Sequence, residues 1–243
     1  IAFRGNSYET LEAYARKVET RVDKKTRVET RTIISSPDEL AAATLEGFTV
    51  TEDMLGNYSQ TTYGRTAPSR SSEETPDGLY HLHFVPKKLT REVSAVLHIE
   101  GLNNIRSATC RLGGVAESIF LATGKTSANT VTQEFTPSNP EFSPGSPFNG
   151  TLSCEFEIFG LNVIDNNNLH LDALLVDGKT EFEGDCTNVK ITENDDGTGS
   201  VTLILEASTE KVPDVKPEGG AGSGFDVDVD GWGNEINTDI PIN

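Results

Sequence analysis

The sequence predicts an all-β chain folded as two β-sandwich domains, with one short helix. Three observations lead there. Short runs of alternating apolar and polar residues recur, the pattern of strands with one buried and one wet face. The 243 residues include 22 glycines and 11 prolines, which favour turns over long helices. At 35% hydrophobic and 24% charged, the composition suits antiparallel sheets with solvated outer faces. A chain of this length holds one large domain or two small ones.

Taken in order, residues 1–34 alternate loosely through Tyr8, Leu11, Ala13, Ala15, Val18, Val22, Val28 and Ile33-Ile34. Interleaved threonines and charges favour strands, although Leu11, Tyr14, Ala15 and Val18 also fit a helix over Tyr8–Val22. Ser36-Pro37-Asp38-Glu39 reads as a helix start, with a cap, a first-position proline and acids near the positive end. That helix would cover Leu40–Leu45 and stop at Gly47. Phe48–Thr51 is a strand candidate, and residues 66–78 form a polar loop. Leu79–Val85 leads to Pro86, where a boundary divides an N-terminal domain (1–85) from a C-terminal one (86–243).

Beyond that boundary, strands are expected at Val93–Glu100, Ser107–Leu112, Ser118–Ala122, Gly150–Phe159, His170–Val176, Thr180–Glu183, Val189–Thr192 and Ser200–Ala207. Asp177-Gly178 and Asn194–Gly197 supply hairpin turns, because these residues tolerate positive φ. Residues 134–149 and 209–224 show no periodic pattern, and the latter end in the flexible Gly219–Gly224. The last stretch, Phe225–Asn243, reads as two strands around Gly231-Trp232-Gly233 and carries the one tryptophan. Phe225, Val227 and Val229 share one face there, opposite Asp226, Asp228 and Asp230, and Ile240 and Ile242 repeat the alternation. Trp232 is expected to anchor the turn or a core with its ring.

The net charge of −18 is unevenly placed. Residues 141–243 hold 4 Lys/Arg against 21 Asp/Glu, whereas residues 1–140 are nearly balanced. Such a field repels nucleic-acid phosphates and anionic membrane surfaces. Cys110, Cys154 and Cys186 match no zinc or redox spacing, which leaves one disulfide plus a thiol, or three reduced thiols. No hydrophobic run is long enough for a membrane helix. Ile1-Ala-Phe-Arg-Gly5 reads like the end of a strand, so a targeting segment is expected upstream.

Catalytic chemistry leaves no clear signature. Gly124-Lys125-Thr126 ends like a phosphate-binding loop, but the position of its first glycine holds Ile119. Gly-x-Ser-x-Gly is missing. His81 and His83 share a strand face without a third ligand at a compelling distance. Asp226, Asp228, Asp230 and Gly231 copy half of a calcium loop whose final glutamate is replaced by Asn237, which makes them a weak cation site and no more. Asn57 and Asn149 fit the glycosylation acceptor pattern and read equally well as loop residues. No catalytic residue, metal centre or cofactor is assigned, and no enzyme activity is expected.

Four segments carry a family resemblance: Ile1–Tyr14, Ser36–Ala43, Pro86–Ile99 and Phe225–Ile242. They resemble blocks of the fimbrillin-like surface and pilus proteins of Bacteroidales, closest to an uncharacterised Bacteroides lipoprotein family grouped with them. The resemblance implies two transthyretin-like Greek-key sandwiches, a lipoprotein exported to the outer membrane, and assembly by strand donation. Its implied partners are other fimbrial subunits and a host or bacterial surface ligand. Nucleic acid is not among them, and membrane contact would come only through an upstream lipid anchor. The expected function is a structural or adhesive fimbrial subunit, with Phe225, Val227, Val229, Ile240 and Ile242 on exchanging or terminal strands. A surface carbohydrate-binding sandwich is the alternative.

Overall fold

The computed structural model describes residues 1–22, 27–45, 47–50, 82–163, 167–195 and 201–218. Among them the chain is an all-β sandwich, with sixteen strands and two short 3-10 turns.

The N-terminal stretch supplies β1 (Ala2–Arg4), β2 (Glu12–Tyr14), β3 (Val18–Val22), β4 (Glu29–Ile33) and β5 (Ala41–Ala42). After residue 82 come β6 (Lys87–Lys88), β7 (Arg91–Ile99), β8 (Ile105–Ala116), β9 (Ser118–Phe120), β10 (Thr130–Phe135), β11 (Asn139–Phe142) and β12 (Gly150–Ile158). The last four are β13 (Leu169–Leu175), β14 (Glu181–Asp185), β15 (Thr187–Asp195) and β16 (Val201–Ser208).

Two sheets face each other. One has the order β14-β13-β8-β10-β4-β3, the other β11-β12-β7-β16-β15. Each is antiparallel except at one seam: β10 runs parallel to β4, and β16 runs parallel to β7. A small sheet, β1-β2-β9, and the pair β5-β6 complete the described structure.

The period-two pattern selects the inner faces. Val93, Ala95, Leu97 and Ile99 of β7 are buried, as are Leu169, Leu171, Ala173 and Leu175 of β13. From the larger sheet Ala108, Cys110 and Leu112 join them, and from the smaller one Leu203, Leu205 and Ala207. Phe135 of β10 stacks on Phe156 of β12 with ring centroids 4.3 Å apart, tying the sheets together.

Residues on both sides of Pro86 meet in these sheets. Ile33 of β4 pairs with Gln133 of β10, and Ala13 of β2 with Ile119 of β9. Ala13, Ala15 and Ile33 belong to the same buried cluster as Leu97 and Leu205. Pro86 therefore does not mark a break between the described sheets.

Three local expectations are corrected. The helix over Leu40–Leu45 is absent, and Ala41–Ala42 instead pairs with Lys87–Lys88. Its backbone is committed elsewhere: Leu40 N–H donates to Thr90 Oγ1 at 3.1 Å, and the Leu40 carbonyl accepts from Leu89 N–H at 2.7 Å. Ser36 Oγ accepts from the Glu157 N–H and donates to the Glu157 carbonyl, both at 2.7 Å, so it satisfies β12 and caps no helix. Second, the described parts of Phe48–Thr51 and Leu79–Val85, residues 48–50 and 82–85, form no strand, while Thr51 and residues 79–81 lie outside the described residues. Third, β10 and β11 occupy residues read as patternless or passed over. Thr130–Phe135 does alternate, but Gln133 takes an inward position. Its Nε2 donates to the Ile33 carbonyl at 3.3 Å, across the parallel seam.

The helix alternative for Tyr8–Val22 is also settled, in favour of a 3-10 turn, β2 and β3. Asp177-Gly178 makes the β13–β14 hairpin, with Gly178 at φ +69 and Asp177 Oδ1 accepting from the Thr180 N–H at 2.8 Å. The Asn194–Gly197 turn lies partly outside the described residues.

Candidate functional site

A groove of about 560 Å³ opens at the end of the sandwich where β7 and β16 begin and β12 ends. Its floor is apolar: Ile119, Phe159, Leu161, Ile191 and Leu203. Four charged residues stand along it, Lys88, Arg91 and Lys125 against Glu193. Ile119 and Phe159 are buried in the sandwich itself, whereas Ile191 on the outermost strand β15 is only half-buried.

Local chemistry builds each wall. Lys125 sits in the turn after β9, closed by Gly124 N–H donating to the Phe120 carbonyl at 2.8 Å and by Phe120 N–H donating to the Lys125 carbonyl at 2.9 Å. Gly124 takes φ +65, a left-handed conformation that side chains resist. Thr126 Oγ1 and the Asn162 side chain pin this turn to the segment after β12, and the Asn162 backbone N–H ties that segment to the Gly114 carbonyl of β8. The hydroxyl donates to Asn162 Oδ1 at 3.1 Å, Asn162 Nδ2 donates to the Ser127 carbonyl at 2.8 Å, and Asn162 N–H donates to Gly114 at 2.9 Å. Gly160 lets the turn lie close, because a Cβ there would meet Thr126 Cγ2 at 2.8 Å. Gly124-Lys125-Thr126 is thus a strand-to-loop turn on the groove wall and lacks the strand-loop-helix setting of a phosphate cradle.

The charged rim is partly self-neutralised. Lys88 Nζ lies 2.7 Å from Glu157 Oε1, a hydrogen bond that raises the lysine pKa above its ordinary value. Arg91 Nη1 lies 2.9 Å from Glu193 Oε1. The groove floor suits an occupant with apolar side chains on one face.

Strand edges decide what can enter beside it. β11 carries Pro140, which cannot donate to a neighbour. The first half of β15 is bulged between Thr187 and Lys190, with Asn188 at φ 52. The second half, Ile191–Asp195, is straight, regularly paired to β16, and borders the groove.

The residues singled out in the sequence fare unevenly. Phe225, Val227, Val229, Ile240, Ile242, Trp232, Asp226, Asp228 and Asp230 all lie outside the described residues, as do His81 and Asn57. His83 is exposed, and Asn149 is an exposed loop residue whose Oδ1 accepts from the Gly101 N–H at 3.1 Å. The groove residues were missed because they come from five separated segments, and no local spacing joins them. Lys125 was noticed only as part of a broken phosphate motif.

All three cysteines are free thiols. Burial pushes Cys154 up to about 11 and Cys186 up to about 12, and drives the fully buried Cys110 well above the ordinary thiol value. Thiolate is therefore scarce at neutral pH. With iodoacetamide at pH 8 the native protein is expected to stay unalkylated for hours, and denaturant should expose three reactive thiols. Rapid labelling of the native chain, read by mass spectrometry, would contradict this.

Comparison with known proteins adds the following. A family model described as "Domain of unknown function (DUF5119)" matches residues 1–136, more than half of the chain. Among solved structures, the chain is similar to one described as "a putative adhesin from Bacteroides ovatus ATCC 8483", at 15% identity and a TM-score of 0.42. The alignment covers 76% of this chain and 60% of that one, so this chain spans less than two thirds of that chain's length. No curated protein matches the chain. Among the described residues, no helix is long and apolar enough to cross a membrane.

Proposed function

The chain belongs to the family described as Domain of unknown function (DUF5119), and from that premise we propose that it is a structural or adhesive subunit of a bacterial surface fimbria, assembled by β-strand addition. The observation that carries this reading is the groove beside the straight half of β15. A strand laid along Ile191–Asp195 would extend the five-stranded sheet by main-chain hydrogen bonds. Its alternate side chains would drop onto Ile119, Phe159 and Leu203. The donor that fits is Phe225–Asp230 of a neighbouring copy. Phe225, Val227 and Val229 match the apolar floor, and Asp226, Asp228 and Asp230 face Lys88, Arg91 and Lys125 on the rim.

The subunit on this reading is exported and held at the cell surface. Adhesion and assembly both follow from exposed sheet edges and need no reacting group.

A peptide copy of Phe225–Asn243 tests the reading when mixed with a chain ending at Glu218. Binding is expected, with loss on Val227→Asp and Val229→Asp in the peptide or Ile191→Lys in the chain. A truncated chain that ignores the peptide, together with a full chain that stays monomeric at high concentration, would sink the proposal.

A further inference from the structure

A second constellation, sharing no residue with the groove, lies on the outer face of the larger sheet. β13 carries His170 and Asp172 two residues apart, so both point outward, opposite to the buried Leu169, Leu171 and Ala173. The hairpin to β14 then sets Glu183 directly across from Asp172, and Asp185 directly across from His170. On the other side of β13, Arg111 of β8 stands across from His170.

One ligand atom each from His170, Asp172 and Glu183 lies within 4.8 Å of the other two. His170 Nε2 and Asp172 Oδ1 are 3.3 Å apart. That is long for a charge-assisted hydrogen bond. It equals the spacing of two ligands on one tetrahedral zinc ion, roughly 3.3–3.5 Å for bonds of about 2.0–2.1 Å. The imidazole is also oriented as a metal-bound histidine is: its other nitrogen, Nδ1, lies 2.8 Å from Asp185 Oδ1. A carboxylate in that position fixes the ring and increases its basicity as a ligand. Arg111 Nη2 holds Asp172 Oδ2 at 2.8 Å, which leaves Oδ1 turned toward the histidine.

Independently of these contacts, the three residues line a concavity of about 270 Å³, shared with Thr109, Arg111 and Glu181. It has room for a water on a fourth coordination position. Among the described residues its lining holds three carboxylates, Asp172, Glu181 and Glu183, and one guanidinium, Arg111.

We propose that His170, Asp172 and Glu183 form a binding site for a divalent transition cation of the zinc type, with Asp185 and Arg111 as its positioning residues. One imidazole and two carboxylates suit such a cation better than calcium, which prefers six or more oxygens. The ion would bridge β13 and β14 and brace the outermost hairpin of the sheet. This site shares no residue with the groove, and it does not depend on the fimbrial reading.

Calorimetric titration of the chelator-stripped chain with zinc chloride tests it. One equivalent should bind, and His170→Gln and Glu183→Gln should each weaken that binding at least about tenfold. Asp185→Asn should cost about 10–100-fold, as removal of an outer-shell partner does elsewhere. Cobalt in place of zinc should give the intense visible bands of a four-coordinate ion. A triple variant with asparagine at Asp226, Asp228 and Asp230 should bind as the parent does. Circular dichroism and metal-free melting curves identify any variant that fails to fold. A well-folded parent that takes up no zinc at millimolar concentration overturns the assignment, as does uptake left unchanged in a folded His170→Gln protein.

Discussion

Replacing Phe156 by alanine should lower the free energy of unfolding by about 3–5 kcal/mol, the usual range for deleting a buried aromatic ring. Phe156 is 8% exposed and lies flat on Phe135, with the rings 15° from parallel. The pair joins β12 of one sheet to β10 of the other, so the hole left behind is in the contact between layers. Neighbouring strands are held in register on both sides and can collapse into it only partly. Part of the loss is transfer free energy and part is the cavity. Phe148, 58% exposed, is the matched control, and its alanine variant should change stability by less than about 0.5 kcal/mol. Urea unfolding followed by fluorescence or circular dichroism reads both. Equal small effects at the two positions would mean that the sheets do not meet as described.

Ile33→Ala should cost about 2–5 kcal/mol and should do so in a single transition. Ile33 is fully buried at the end of β4, paired with Gln133 across the parallel seam. It is the clearest probe of how the N-terminal strands relate to the rest. In a separate N-terminal domain, the substitution would melt that part alone and give a biphasic curve. Because Ile33 shares its cluster with Leu97 and Leu205, destabilisation should spread to the whole described body. Calorimetry with matching van't Hoff and calorimetric enthalpies would support one cooperative unit, and an early separate transition would refute it.

Most of the strands could be read from the sequence wherever burial follows a period of two. Val93–Glu100 and Gly150–Phe159 match β7 and β12 to within a residue or two because their inner positions are all apolar. Where a polar side chain faces inward the pattern fails. β10 went unrecognised because Gln133 sits between Val131 and Phe135. β11 was hidden by Pro140, which an edge strand tolerates and a propensity argument rejects. The helix expected after Ser36 had correct capping chemistry, but tertiary bonds from Glu157 and Thr90 claimed the same atoms.

Sites were far less legible. The groove gathers residues 88–91, 119–126, 159–161, 191–193 and 201–203, and no local signal links segments so far apart. The His170 cluster could have been found. A His-x-Asp pair before Asp177-Gly178, with Glu183 and Asp185 after it, becomes a four-residue square once the hairpin register is drawn. The terminal stretch from Phe225 carries the sequence's plainest alternation, and its role rests on the peptide experiment.

The parallel seam between β7 and β16 has a bearing on how the chain matures. Thr202 sits beside Glu92, and Ser208 beside His98, partners separated by 110 positions along the polypeptide. Until residues past 200 have emerged, one flank of a strand at the heart of the molecule stays bare. Such distant pairings are slow, with closing times in the range of about milliseconds to seconds for β topologies. A chain made from its N-terminal end therefore cannot complete this sheet until β16 has been added beside β7.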